Sequence, residues 1–202
     1  MSLDSVKAPR GRPKTLNRNH ILEIAMLAYW QSGTRDVSIN EICRQANVSK
    51  PGLYREFGNE DGLMTAVLHA YLQAVLMPLL EILQSERPFH QVLDELVMFI
   101  AEEPPEQQVA KGCLMVKMRE SSMLLGQETQ SQIVKSHKEI LGRYETWIQG
   151  CQDNGSFRSE MPPAFAAVYI DAQFTNALAQ LARGDDRAMV KSILETSLSV
   201  FR

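Results

Sequence analysis

Apolar positions recur along this chain every three to four residues, the spacing that turns one face of an α-helix toward a core. Ile21, Ile24, Ala25, Ala28 and Tyr29 mark the first such stretch and predict a helix over 17–32, stopped by Gly33. A short helix is expected over 39–46, opened by Ser38 and Glu41, which have the spacing of a reciprocal capping box. A third follows over 50–57. Longer helices are expected over 60–84, 88–102, 106–124, 127–152, 163–183 and 186–201, with breaks at Ser85–Pro88, Glu103–Pro105, Leu125–Gly126, Asp153–Pro163 and Gly184. Pro78 should kink the first of these or end it early, because its ring removes a backbone donor. Strand patterns are nearly absent. The fold class that follows is all-α, about nine helices, with a small N-terminal three-helix unit on a larger bundle. The expected division is an arm over 1–16, the small unit over 17–62 and the larger domain over 63–202.

Within the small unit, SINEICRQANVSKPGLYREF reads as two short helices joined by a sharp turn. Ile39, Ile42 and Cys43 form an apolar face, and small Ala46 permits a close helix crossing. Asn47 tolerates the positive φ such a turn needs. Val48 anchors the turn, Ser49 caps the next helix, and Leu53 and Phe57 bury it. Lys50, Pro51, Gly52, Tyr54 and Arg55 are left facing outward or sideways. This is a helix-turn-helix, whose second helix is the expected reader of a DNA major groove. Pro51 fits the first turn because its missing N–H has no partner there. Gly52, lacking a side chain, would let the helix N-terminus come close to phosphate. A loop shaped by Pro and Gly, with Tyr54 and Arg55 as ordinary surface residues, is the competing reading of the same stretch.

Charge adds a direction. Residues 1–60 hold nine Lys and Arg against six Asp and Glu, a balance of +3, while the remainder carries −6. Five basic side chains and no acidic one fall within residues 7–18. A polyanion partner for the first part accounts for this, and so does a solvated tail. Arm residues PRGRPK suit a narrow minor groove, which concentrates negative potential around Arg. Cys43, Cys113 and Cys151 are far apart, as in a protein of the reducing cytosol. His20, His69, His90 and His137 are isolated, so no catalytic or metal constellation is expected, nor a cofactor. No apolar run approaches the ~18 residues of a membrane span.

Residues 21–63 resemble the DNA-binding domain of TetR/AcrR-family transcriptional regulators. The resemblance rests on Ile21, Ala25, Tyr29 and Gly33, then Val37, Ser38, Ile42, Ala46, Val48 and Ser49, then Leu53, Tyr54, Phe57, Asn59, Asp61 and Leu63. Three positions depart from the family pattern: Asn47 stands for the usual Gly, Glu56 for a frequent His, and Glu60 for a frequent Lys. The arm resembles the core of an AT-hook. The resemblance implies a cytoplasmic homodimer that binds a palindromic operator on double-stranded DNA, most often as a repressor. DNA contacts are then expected from Arg10, Arg12, Lys14, Ser38, Ser49, Lys50, Pro51, Gly52, Tyr54 and Arg55.

Beyond residue 65 the likeness is looser. Lys111-Gly112-Cys113-Leu114 matches an element found in many members, and Asn154–Arg158 with Pro162-Pro163 matches the link into the last two helices. Those two helices are implied to form the dimer interface, with Phe165, Val168, Tyr169, Ala172 and Asn176 on one face and Ile193, Leu194, Ser197 and Val200 on the other. The middle helices are implied to enclose a pocket for a small effector. Met77, Phe99, Met115, Met118, Met123, Trp147 and Phe174 are the candidate lining, with plain core packing as the alternative for each.

Overall fold

The computed structural model describes residues 16–85, 87–101 and 112–202. Among the described residues there are nine helices and no strand. They are α1 (Arg18–Ser32), α2 (Ile39–Gln45), α3 (Lys50–Phe57), α4 (Glu60–Gln84), α5 (Phe89–Ala101), α6 (Leu114–Glu120), α7 (Gln127–Asp153), α8 (Pro163–Arg183) and α9 (Arg187–Leu198). The all-α expectation holds, and the helix bounds agree closely with the apolar periodicity.

Two stretches depart from simple helices. Pro78 does not end α4. The helix widens into a π-helical turn over Leu72–Leu76, resumes over Met77–Leu80 and tightens to a 3₁₀ turn over Glu81–Gln84. In the widened turn the Met77 N–H donates to the Leu72 carbonyl, which loosens the ladder where the proline ring would otherwise clash. The helix expected over 106–124 is shorter where described. It stops at Glu120, where the Ser121 N–H and hydroxyl both donate to the Lys117 carbonyl, at 3.2 and 2.9 Å. A 3₁₀ turn over Ser122–Leu124 follows.

Helix α4 is also long and apolar enough to cross a membrane, with a mean hydropathy of 1.7 over its best window, contrary to the reading of apolar runs. Its Leu63, Val67, Leu68 and Leu72 are nevertheless buried, and the helix packs against α1 and α7. The four N-terminal helices rest on one apolar cluster built from Ile21, Ala25, Tyr29, Ile42, Leu53 and Leu63, all 0% exposed. At the far end Phe89 stacks on Trp147 at 4.7 Å and on Phe157 at 4.0 Å, joining α5 to α7 and the link that follows it. Along α8, α9 and the 3₁₀ turn that follows α9, exposed apolar residues are Phe165, Val168, Met189, Ile193 and Val200. Leu194, expected on that outer face, is instead inside the core, and the Tyr169 hydroxyl donates to the Ser197 carbonyl at 2.9 Å.

Candidate nucleic-acid interface and apolar cavity

Helix α2 opens on Ser38, whose hydroxyl accepts from the Glu41 N–H at 3.2 Å. Only this half of the capping box forms. The Glu41 carboxylate turns forward to Arg44 Nε at 2.9 Å and Gln45 Nε2 at 2.6 Å, and those two donors hold its pKa down at about 2. After Ala46, Asn47 takes φ 54, the turn conformation expected of it, and the Val48 N–H donates back to the Cys43 carbonyl. Ser49 then caps α3 by accepting from the Gly52 N–H at 3.2 Å.

Lys50, Pro51 and Arg55 are exposed on α3. Tyr54 is half-buried, with Lys50 Nζ 5.5 Å from its ring centroid, a cation–π contact that holds both side chains on the outer face. Gly52 corrects the sequence reading: it is buried rather than outward. A Cβ there would lie 3.0 Å from Ser49 Oγ and 3.1 Å from Leu16 Cδ1, so the glycine makes room for the root of the arm. Arg10, Arg12 and Lys14 lie outside the described residues. Glu56 faces α1, where Arg18 Nη1 meets it at 3.0 Å and the same guanidinium lies 4.6 Å from the Phe57 ring centroid. Glu60 is exposed in the first turn of α4, where a negative charge suits the helix dipole.

Two sets of contacts tie this unit to the larger domain. Asp61, in the first turn of α4, caps α7 from outside. Its carboxylate accepts from the Glu128 N–H at 2.9 Å, the Thr129 N–H at 3.0 Å and the Thr129 hydroxyl at 2.5 Å. Burial alone would raise its pKa, but these hydrogen bonds outweigh burial and the pKa is lowered. Gly126 is required beside it, since a Cβ there would sit 2.1 Å from the Asp61 carboxyl carbon. The second set is at the end of α1. Trp30 Nε1 donates to the Gly112 carbonyl at 2.9 Å, Lys117 Nζ donates to the Trp30 carbonyl at 2.5 Å, and the Thr34 and Ser121 hydroxyls are 3.3 Å apart.

Trp30 also forms a wall of a cavity of about 330 Å³ between α4, α5, α6, α7 and α8. Tyr71, Leu96, Tyr144, Phe174 and Leu178 are among the other lining residues. Burial first, and then the charge of Asp171, push the Tyr144 phenol pKa up, which keeps its proton on. Of the candidate lining residues, Phe99, Met115 and Phe174 border this cavity, Phe99 from an exposed position. Trp147 borders a separate, more open cleft between the end of α4 and α7. Met118 is in the core at 0% exposed, Met77 packs half-buried on α4, and Met123 is 88% exposed in the 3₁₀ turn after α6. None of these three borders either hollow. Helical period marks which residues are buried and carries no sign of which buried faces meet a void. For the same reason the reading missed Trp30, Tyr71 and Tyr144. It also missed a polar group on one wall, in which His137 Nε2 lies 2.8 Å from Asp171 Oδ2 and an Arg119 guanidinium nitrogen 3.7 Å from the same oxygen.

Residues 21–67 match the family model described as bacterial regulatory proteins, tetR family. The HTH-type transcriptional repressor ComR of Escherichia coli is 27% identical over 180 residues, 89% of this chain and 83% of that protein. The repressor BdcR of the same organism is 28% identical over 107 residues, 53% of this chain and 54% of its own length. Among solved structures, the reduced form of E. coli NemR superposes with a TM-score of 0.79 at 20% identity, covering 89% of this chain and 94% of that one. A cysteine mutant of the TetR-family regulator CifR, bound to a 26-base-pair operator, superposes with a TM-score of 0.80 at 18% identity, covering 95% and 100%.

Proposed function

We propose that the chain is a TetR-family, DNA-binding transcriptional regulator, and that it acts as a cytoplasmic, homodimeric repressor released from its operator by a small ligand; the match of residues 21–67 to the family model and the likeness to the repressor ComR support this. Residues 17–62 are the DNA-binding domain, and residues 63–202 bind the ligand and pair the two protomers. Lys50, Pro51, Tyr54 and Arg55 face the DNA, with Ser38 and Ser49 at the two helix starts contacting phosphate and the basic arm adding minor-groove contacts. The exposed apolar residues of α8 and α9 supply the dimer face, and two protomers then read two half-sites.

The observation that carries the reading is Trp30. It belongs to the proposed DNA-reading unit, yet it forms part of the cavity wall, donates to Gly112 just ahead of α6 and accepts from Lys117 within it. A ligand in the cavity therefore touches the element on which α2 and α3 rest, and can shift them without a long relay. The test begins with selection of bound sequences from random duplex DNA. Tyr54→Ala and Arg55→Ala should each weaken binding to the selected site by about 1–3 kcal/mol, with helicity unchanged by circular dichroism. Unaltered affinity in both variants would remove α3 as the reading helix.

A further inference from the structure

We propose that the cavity selects an apolar organic acid, whose carboxylate is received by Arg119. This rests on the reading of the cavity as the effector site. Arg119 comes from α6, Asp171 from α8 and His137 from α7, so three helices bring one polar group to an otherwise apolar wall. Asp171 is served by His137, whose Nε2 lies at hydrogen-bond distance, 2.8 Å. Arg119 is only an ion-pair neighbour at 3.7 Å, beyond hydrogen-bond range. Its planar fork thus keeps donors to offer, in the geometry that matches a carboxylate bidentately.

The charge arrangement opposes an amine. The Asp171 carboxylate already has His137 at hydrogen-bond distance and the Arg119 guanidinium beside it. An ammonium group would have to enter beside that guanidinium. A neutral head would leave the Arg119 fork without the charge it can stabilise, and a carboxylate in an apolar cavity is tolerated where such a donor meets it. The Tyr144 hydroxyl, kept protonated, is a further donor on the wall. The aromatic surfaces of Trp30, Tyr71 and Phe174 suit the apolar body of the ligand.

Titration calorimetry on the full chain with 4-phenylbutyrate, 4-phenylbutan-1-ol and 4-phenylbutylamine tests this, since the three share one skeleton and differ in the head. The acid should bind about tenfold tighter than the alcohol, and the amine most weakly. Arg119→Gln should remove that advantage and Arg119→Lys should restore part of it, while Thr175→Trp, which fills the cavity, should abolish binding of all three. Alcohol or amine binding as tightly as the acid to the unmodified protein overturns the proposal even if no Arg119 variant folds. So does an acid preference that survives Arg119→Gln. These outcomes leave the cavity as an effector site with a different selectivity. Binding of none of the three at millimolar concentration, or binding untouched by Thr175→Trp, removes the effector-site reading and the proposal with it.

Discussion

The helices of the DNA-reading unit and those of the larger domain begin in different ways. Asn17, Ser38, Ser49 and Asn59 each place a side-chain oxygen on the first turn of the helix they precede, so α1 to α4 are capped from within their own sequence. In the larger domain α6, α7 and α8 start at Cys113, Gly126 and Pro162, which supply no side-chain cap, while α9 has one from Asp186. Helix α7 receives its cap from Asp61, 67 residues earlier in the chain, at the base of the reading unit. Local capping sets where α1 to α4 begin from residues next to each helix. A borrowed cap makes the long helix α7 depend on where the reading unit sits. That asymmetry makes the start of α7 sensitive to any displacement of the first turn of α4.

The largest effect should come from removing the borrowed cap. Asp61→Ala deletes the acceptor for two backbone donors and the Thr129 hydroxyl, and should cost about 2–3 kcal/mol in urea unfolding. Gly126→Ala attacks the same contact from the other side, since its Cβ would overlap the carboxylate, and should also destabilise. A loss below about 0.5 kcal/mol for Asp61→Ala, within the range of ordinary surface substitutions, would show that α7 does not rely on this cap.

The same residue gives a pH dependence with a definite sign. The folded-state pKa of Asp61 is depressed below the ordinary 3.8. Its contribution is therefore fully present above that value and is lost as pH falls through the lower, folded pKa. The stability gap between the unmodified chain and Asp61→Asn should be constant near neutrality and should close in strongly acidic solution. A gap that widens on acidification would contradict the hydrogen-bond assignment.

Removing an internal cap should cost less. Ser49→Ala takes one acceptor from the Gly52 N–H and should destabilise by about 1 kcal/mol, read by the same urea titration. Its effect should add to that of Asp61→Ala, since Ser49 belongs to α3 alone and shares no hydrogen-bond partner with Asp61. Strong non-additivity would mean that the two kinds of cap act as one unit, and the comparison would fail.

This contrast also explains what the sequence made visible. Caps within the reading unit lie three residues from the amides they serve, so Ser38 and Ser49 could be recognised from spacing, as could the helix bounds and the φ of Asn47. The second half of the capping box could not, because Arg44 and Gln45 outbid the Glu41 amide-side contact. The role of Gly52 was missed because Leu16, which it accommodates, approaches from another segment. In the larger domain the informative contacts join distant residues: Trp30 with Gly112, His137 with Asp171, Asp61 with Thr129. No local period encodes such pairs. The Met residues illustrate the limit, since Met115 borders the cavity, Met118 fills the core and Met123 is on the surface, all within one short stretch.

The smallest effect concerns Glu56, an acidic residue on α3, the proposed reading helix, where a DNA-facing element would gain nothing from negative charge. Its partner Arg18 comes from α1, and both side chains are substantially exposed, at 47% and 36%. An exposed pair of this kind contributes about 0.2–1 kcal/mol. A double-mutant cycle with Arg18→Ala and Glu56→Ala should return a coupling in that range, and added salt should shrink it because the pair is open to counterions. Arg18 also lies over the Phe57 ring, so Arg18→Ala should cost more by itself than Glu56→Ala. Equal single costs with no coupling would mean that Glu56 is not held against α1. Its charge would then stand unneutralised on the reading face, and α1 would no longer account for an acid at that position.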